Sequence, residues 1–154
     1  MGRKESNSRK EPEYFAKLDS ETAHARRSYI RGLDSEEKVR DILLSQNLVE
    51  STELTLRYSY DDRAGTDIRL WIKKELLAVE FPFVRVQVKS SPGGILDFRE
   101  RLKRRFKPRL SDEGVQAYLL RERLIIIDAS QPVVRVERSF NDQLNDILEY
   151  WRFE

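Results

Sequence analysis

The sequence predicts an α/β domain, a mixed central β-sheet flanked by helices. Three patterns carry that expectation. Residues 68–72 and 83–89 alternate with a period of two: Ile68, Leu70 and Ile72 share one side of a strand, and so do Val84, Val86 and Val88. Leu124 to Asp128 is a short continuous apolar run suited to a buried strand. Helical spacings of three and four recur at Val39, Ile42, Leu43, at Ile95, Phe98, Leu102, Phe106, and at Leu144, Ile147, Leu148, Trp151.

Taken in order, residues 1–11 are polar and basic without apolar periodicity, and a disordered tail is expected there. Residues 12–154 then read as a single domain. Tyr14, Phe15, Leu18, Tyr29 and Ile30 anchor a first helix or helix pair between Pro12 and Ile30. Gly32 is expected to break the chain, and Asp34 with Glu37 three residues on resembles a capping box that opens the next helix. On that helix Glu36 falls at the edge of the Val39, Leu43 stripe, while Glu37 is rotated about 100° towards solvent. A carboxylate on a core-facing edge has two explanations. It favours the positive helix start, or it reaches across the sheet to a shared site.

After Asn47 the chain turns strand-like, with Leu54, Leu56, Tyr58 and Tyr60 alternating with polar residues. Residues 61–65, with Asp61, Asp62 and Gly65, supply a turn into the strand that begins at Asp67. Lys73 to Val79 makes a hairpin connection, and Phe81 to Ser90 is the central strand. A turn at residues 90–94 leads into a helix. Val115 to Leu120 and Leu124 to Asp128 read as two further strands, Val133 to Val136 as an edge strand, and Asn141 to Trp151 as a terminal helix packed on the sheet.

Composition bounds the function. The chain has 154 residues, 39% hydrophobic and 36% charged, with a net charge of +2, so any basic surface has to come from local clustering. The absence of cysteine excludes disulfides and thiolate zinc sites and fits an intracellular, cytoplasmic protein. No apolar run approaches the roughly 20 residues that span a bilayer, and no signal peptide is visible, so no membrane partner is expected. His24, the sole histidine, lies beside Arg26 and Arg27 and reads as a solvated residue, which leaves no base for a serine or cysteine triad.

The chemistry gathers on the hairpin. With its centre near Leu77, Asp67 lies opposite Gln87, and opposed side chains start about 4.5–5.5 Å apart at Cβ. Arg85, Gln87 and Lys89 share one side of the central strand. An acid, an amide and a lysine therefore converge on one polar patch, close enough to share a metal ion. The following helix carries Arg99, Arg101, Lys103, Arg104, Arg105, Lys107 and Arg109, with Glu100 the lone acid among residues 99–109. One sign dominates within three turns, which points to phosphate contacts. Ser90, Ser91 and the backbone of Gly93 and Gly94 are further donors for a phosphate near the helix start.

Glu36 in an early helix, Gly65-Thr66-Asp67 at a strand start, Gln87-Val88-Lys89 on the next strand and a helix after it together resemble the PD-(D/E)XK nuclease superfamily. The resemblance covers residues 32–128, and its motifs are individually short. The nearest branches are archaeal junction resolvases and restriction endonucleases that cleave modified DNA, some of which carry Gln where Glu is usual. It implies an αβββαβ restriction-endonuclease-like core and a metal-dependent endonuclease acting on DNA, duplex or branched, with RNA and a homodimer left open. Asp67 would be a metal ligand, Gln87 would take the second acid's place through its amide oxygen, Lys89 would be the catalytic lysine, and Glu36 would orient water or complete the metal shell. The cofactor implied is Mg²⁺ or Mn²⁺, held by oxygens. The departure at Gln87 removes one negative charge, which weakens divalent-metal binding and favours a one-metal arrangement. It also leaves a second expectation, a noncatalytic nucleic-acid-binding module on the same scaffold. A third is a structural subunit whose charged surface is incidental.

Overall fold

The computed structural model describes residues 20–54, 67–73 and 83–152, with side chains from residue 32 onward. The expected tail at 1–11, the anchors between Pro12 and Ile30, the strand positions Leu56, Tyr58 and Tyr60, the 61–65 turn and the tip of the hairpin lie outside the described residues or side chains. The chain divides into two compact units, residues 1–34 and 35–154.

The element order is α1 (Ser20–Leu44), β1 (Val49–Leu54), β2 (Ile68–Ile72), β3 (Phe83–Lys89), α2 (Pro92–Arg104), α3 (Asp112–Arg121), β4 (Leu124–Asp128) and α4 (Val133–Arg152). The strands form one mixed sheet in the order β1-β2-β3-β4. Its first two junctions are antiparallel and the β3–β4 junction is parallel. The protein is thus α/β, with helices flanking a mixed sheet that has four strands among the described residues.

One face of the sheet presents Ile68, Leu70, Ile72, Val84 and Val86, each fully buried, to an apolar cluster that includes Val39 and Leu43 of α1 and Phe140 and Leu144 of α4. On a second cluster, Leu124 and Ile126 meet Phe98 and Leu102 of α2 and Val115 and Leu119 of α3. This explains why β4 is apolar at successive positions: its odd and even side chains enter different cores. β4 also ends the sheet, and Gln143 of α4 covers its outer edge. The Gln143 Oε1 accepts from the Ile126 N–H at 3.0 Å, and its Nε2 donates to the Ile126 carbonyl at 2.9 Å. Among the described residues no strand pairs with this edge, and one side-chain amide takes the place of one rung.

Three expectations are corrected. Gly32 does not break α1, which runs unbroken from Ser20 to Leu44, so Asp34 is a helix-interior residue rather than a cap. A lone helical glycine costs only about 1 kcal/mol relative to alanine, which strong helix formers on both sides outweigh. Val115 to Leu120 is not a strand but the body of α3. Ser111 caps this helix by accepting from the Gly114 N–H at 3.0 Å, Asp112 and Glu113 suit its first turn, and Val115 and Leu119 are buried at a spacing of four. Val133 to Val136 is likewise the first turn of α4, not an edge strand. Val136, Phe140, Leu144, Ile147 and Leu148 form one buried stripe, and that burial overrides the β preference of a Val-Val-x-Val segment.

Candidate active site

The β2–β3 register builds the site. Ile68 pairs with Val86 and Arg69 with Arg85, and the Asp67 N–H extends the ladder by donating to the Val86 carbonyl at 2.9 Å. Asp67 therefore faces Gln87 across the strand pair, the arrangement expected from a hairpin centred near Leu77. These are the two buried polar side chains among the described residues, 8% and 7% exposed. The Asp67 Oδ2 accepts from the Gln87 Nε2 at 2.9 Å and from the Val88 N–H at 2.7 Å. Two N–H donors on one oxygen are what a buried carboxylate requires.

Gln87 presents its nitrogen, not its oxygen, to Asp67. The opposite rotamer would set a carbonyl oxygen against a carboxylate. The consequence is that the Gln87 Oε1 is buried and, among the described residues, meets no hydrogen-bond partner, a loss of about 1–3 kcal/mol unless a donor or cation meets it.

Lys89, two residues along the same strand face, is half-buried. Burial pushes its pKa below the usual lysine value, and the charge of Asp67 opposes that shift. Arg101 lowers it further, while Asp97 and Glu36 draw it back. Its Nζ stands 5.2 Å from the centroid of the Phe98 ring. The first turn of α2 packs on its stem: a Cβ on Gly94 would lie 3.3 Å from the Lys89 Cβ. Glu36 is half-buried on α1, one turn before the fully buried Val39.

The residues present suit a hard cation in part. The Asp67 carboxylate and the orphaned Gln87 Oε1 are both oxygen donors, and Mg²⁺ commonly keeps several waters while taking one or two protein oxygens. Among the described residues no three His, Cys, Asp or Glu side chains form a group able to hold a metal ion. Asp67 and Gln87 are the described residues that would hold such an ion, and Glu36 acts on the neighbouring Lys89 through its charge. Asp128 pairs in register with Lys89, but its oxygens accept from Ser130 N–H, Ser130 Oγ and Gln131 Nε2, closing its own turn. Lys38 secures the same turn by donating to the Ala129 carbonyl at 2.7 Å.

The basic helix is less one-sided than its sequence. Arg101 pairs with Asp97 at 3.2 Å, Arg109 with Glu100 at 2.7 Å, and Lys103 with both Glu100 at 2.9 Å and Asp112. Arg104, Arg105 and Lys107 are exposed, and no carboxylate among the described residues pairs with them. Arg99 is half-buried, and Ser90 is exposed. Ser91 spends its Oγ as the cap of α2, accepting from the Gly94 N–H at 3.0 Å. Sequence reasoning passed over Phe98 and Gly94 as supports of Lys89, having placed one in a core stripe and the other in a turn. Asp112 was missed because its helix was read as a strand. Asp97, four residues before Arg101, carried a readable signal.

Compared with models of protein families, with curated proteins and with solved structures, the chain finds no match.

Proposed function

We propose that the protein is a metal-dependent endonuclease that hydrolyses phosphodiester bonds in DNA, built on a PD-(D/E)XK-like core. One observation carries the reading: Asp67 and Gln87 join at 2.9 Å across β2 and β3, with Lys89 on the same strand face under the influence of the Asp67 charge. The succession of a helix, three antiparallel-paired strands, a helix and a strand parallel to β3 supports it, with α3 as an added helix.

In this reading Asp67, held by its two N–H donors, would supply a carboxylate oxygen for Mg²⁺ or Mn²⁺, and the Gln87 Oε1 would join it once the amide turns over, since the Nε2 is the atom that now meets Asp67. When bound, the ion polarises the phosphate and makes water acidic enough to attack near neutral pH. The Lys89 ammonium, fixed by Phe98 and Gly94, faces the charge that grows on the phosphate oxygens; half-burial strengthens its field. Arg104, Arg105 and Lys107 contact backbone phosphates and make binding depend on salt.

One observation favours a second reading, a noncatalytic nucleic-acid-binding module: the Asp67 Oδ2 is already committed to two donors. Incubation of supercoiled, branched and single-stranded DNA with Mg²⁺ or Mn²⁺ separates the two. The nuclease reading expects metal-dependent cleavage that Lys89→Ala and Asp67→Asn abolish. Salt-dependent binding without cleavage by the native chain would leave the module.

A further inference from the structure

Towards the other end of β3, about 13–20 Å from Lys89 by strand rise between Arg85 and Phe83, a second cationic cluster has no place in the chemistry above. Arg123 follows the last turn of α3 with a φ of 52°, a left-handed conformation that glycine adopts freely and a long side chain adopts at a cost of roughly 1 kcal/mol. Its guanidinium carbon stands 5.3 Å from the Phe83 ring centroid and 5.1 Å from that of Trp151. Trp151 is itself fixed, its Nε1 donating to the Leu120 carbonyl at 3.1 Å.

Glu122 answers both Arg85 and Arg121, and Arg123 lies within electrostatic reach of Arg85. Glu122 pairs with Arg85 at 3.0 Å and lies 3.7 Å from Arg121. Arg123 receives no ion pair and no side-chain hydrogen bond among the described residues. A helix C-terminus favours cations, and Arg85 already answers that need by donating to the Glu122 carbonyl at 3.3 Å. Neither the helix end nor Glu122 therefore explains why a third guanidinium is held over two rings with its N–H edge unspent. A planar fork of donors beside a second arginine matches a tetrahedral oxyanion of more than one negative charge better than a single carboxylate.

We propose that Arg123, held over Phe83 and Trp151 beside Arg85, is a binding site for a phosphate group, separate from the Asp67–Lys89 centre. The phosphate comes from a polynucleotide backbone or from a free phosphate ion, which share this chemistry. The site stands whether or not the other centre cleaves DNA.

The two tryptophans of the chain report on it. Trp151 carries Arg123, and the Trp71 ring lies 6.3 Å from that of Phe83. The full chain is titrated with inorganic phosphate, and with acetate and chloride at matched ionic strength, while tryptophan emission is followed. The expected result is a saturable change with phosphate alone, weakened about tenfold or more in Arg123→Gln by loss of a charge-assisted contact. Arg123→Gly, which suits the positive φ and is checked for folding by circular dichroism, loses it too. A short duplex oligonucleotide that competes with phosphate identifies a polynucleotide as the source, and one that leaves the titration unchanged identifies free phosphate. An equal response to acetate or chloride, no saturable response, or full retention in folded Arg123→Gln overturns the proposal.

Discussion

The half-buried Lys89 side chain lies against α2, which touches both its stem and its tip. Its Nζ lies 5.2 Å from the Phe98 ring centroid, and a Cβ on Gly94 would come within 3.3 Å of its Cβ. A residue so confined is aimed, and its direction depends on neighbours that carry no charge. The lysine is also held at some expense, since burial opposes its ionisation.

That expense gives the first prediction. Lys89→Met should fold at least as stably as the native chain near neutral pH while losing any cleavage activity. The sign follows from the depressed pKa: the native lysine is charged in the fold against the cost of burial at every pH below its folded pKa. Stability therefore rises with pH between that value and the ordinary lysine value near 10.5. The advantage of Lys89→Met should accordingly shrink on alkalinisation, and activity that needs the ammonium should fall off at a lower pH than for a solvated lysine. Thermal melts across the alkaline range measure the first, and a pH–rate profile the second. A variant clearly less stable at neutral pH would mark Lys89 as a structural residue.

Gly94 tests the aim rather than the charge. Gly94→Ala places a methyl 3.3 Å from the Lys89 Cβ and 3.4 Å from the Ser91 Oγ, so lysine or helix must yield by a few tenths of an ångström. The helix gains up to about 1 kcal/mol from the substitution, so the melting temperature should barely change while activity falls, on the order of tenfold for a misdirected group. Gly93→Ala is the control, since its nearest atom would be 3.9 Å away. It should melt slightly higher and cleave normally. Equal activity in both variants would remove Gly94 from the mechanism.

The charges of α2 divide into two sets that one assay tells apart. Lys103 bridges Glu100 on its own helix and Asp112 on α3. Its pKa is raised, first by the bond it donates to Asp112 and then by the one to Glu100, and both partners are lowered, each first by the bond it accepts from Lys103. Both shifts stabilise the fold at neutral pH. The acidic side's share is lost as pH falls through the carboxyl values, and the lysine's as pH rises beyond 10.5. Lys103→Met should thus lower the melting temperature at neutral pH, by less in high salt, and leave DNA affinity nearly intact. Arg104→Glu with Arg105→Glu should do the reverse, weakening binding and flattening its salt dependence by about two ions. Filter binding at several salt concentrations, beside melts, reads both.

What the sequence disclosed and what it hid follow from the range of the forces involved. The β2–β3 register was readable because alternation with period two and a symmetric hairpin leave one pairing that buries Ile68, Leu70, Val84 and Val86 together. Asp67 and Gln87 followed from that register. The helical identity of Val133–Val136 was hidden because β-branched residues favour strands locally, whereas the deciding contact is burial of Val136 beside Phe140 on a distant sheet. The bond from Lys103 to Asp112 was hidden for the same reason, since Asp112 belongs to another helix, whereas the pairing with Glu100 three residues earlier was readable. The rotamer of Gln87 depends on a single carboxylate twenty residues away, and no pattern in the chain encodes it.

That rotamer supports the last prediction. Gln87→Glu would set a second carboxylate against the Asp67 oxygen that now accepts from an amide at 2.9 Å. Without metal, two carboxylates in a buried site cannot both ionise cheaply. The variant should therefore lose roughly 2–3 kcal/mol at neutral pH through repulsion and a broken hydrogen bond, or about 5–10 °C in Tm at this length. A carboxyl whose pKa is raised in the fold destabilises as pH rises, so the loss should fade on acidification as one proton comes to serve both groups. Millimolar Mg²⁺ should restore the melting temperature, because the added charge tightens the pair's hold on a cation, and the native chain should respond less. Melts with Mg²⁺ and with chelator, at neutral and acid pH, give all four values. If Mg²⁺ leaves the Gln87→Glu melting temperature where the chelator put it, the oxygens of residues 67 and 87 do not share an ion, and metal-assisted hydrolysis at this site fails with them.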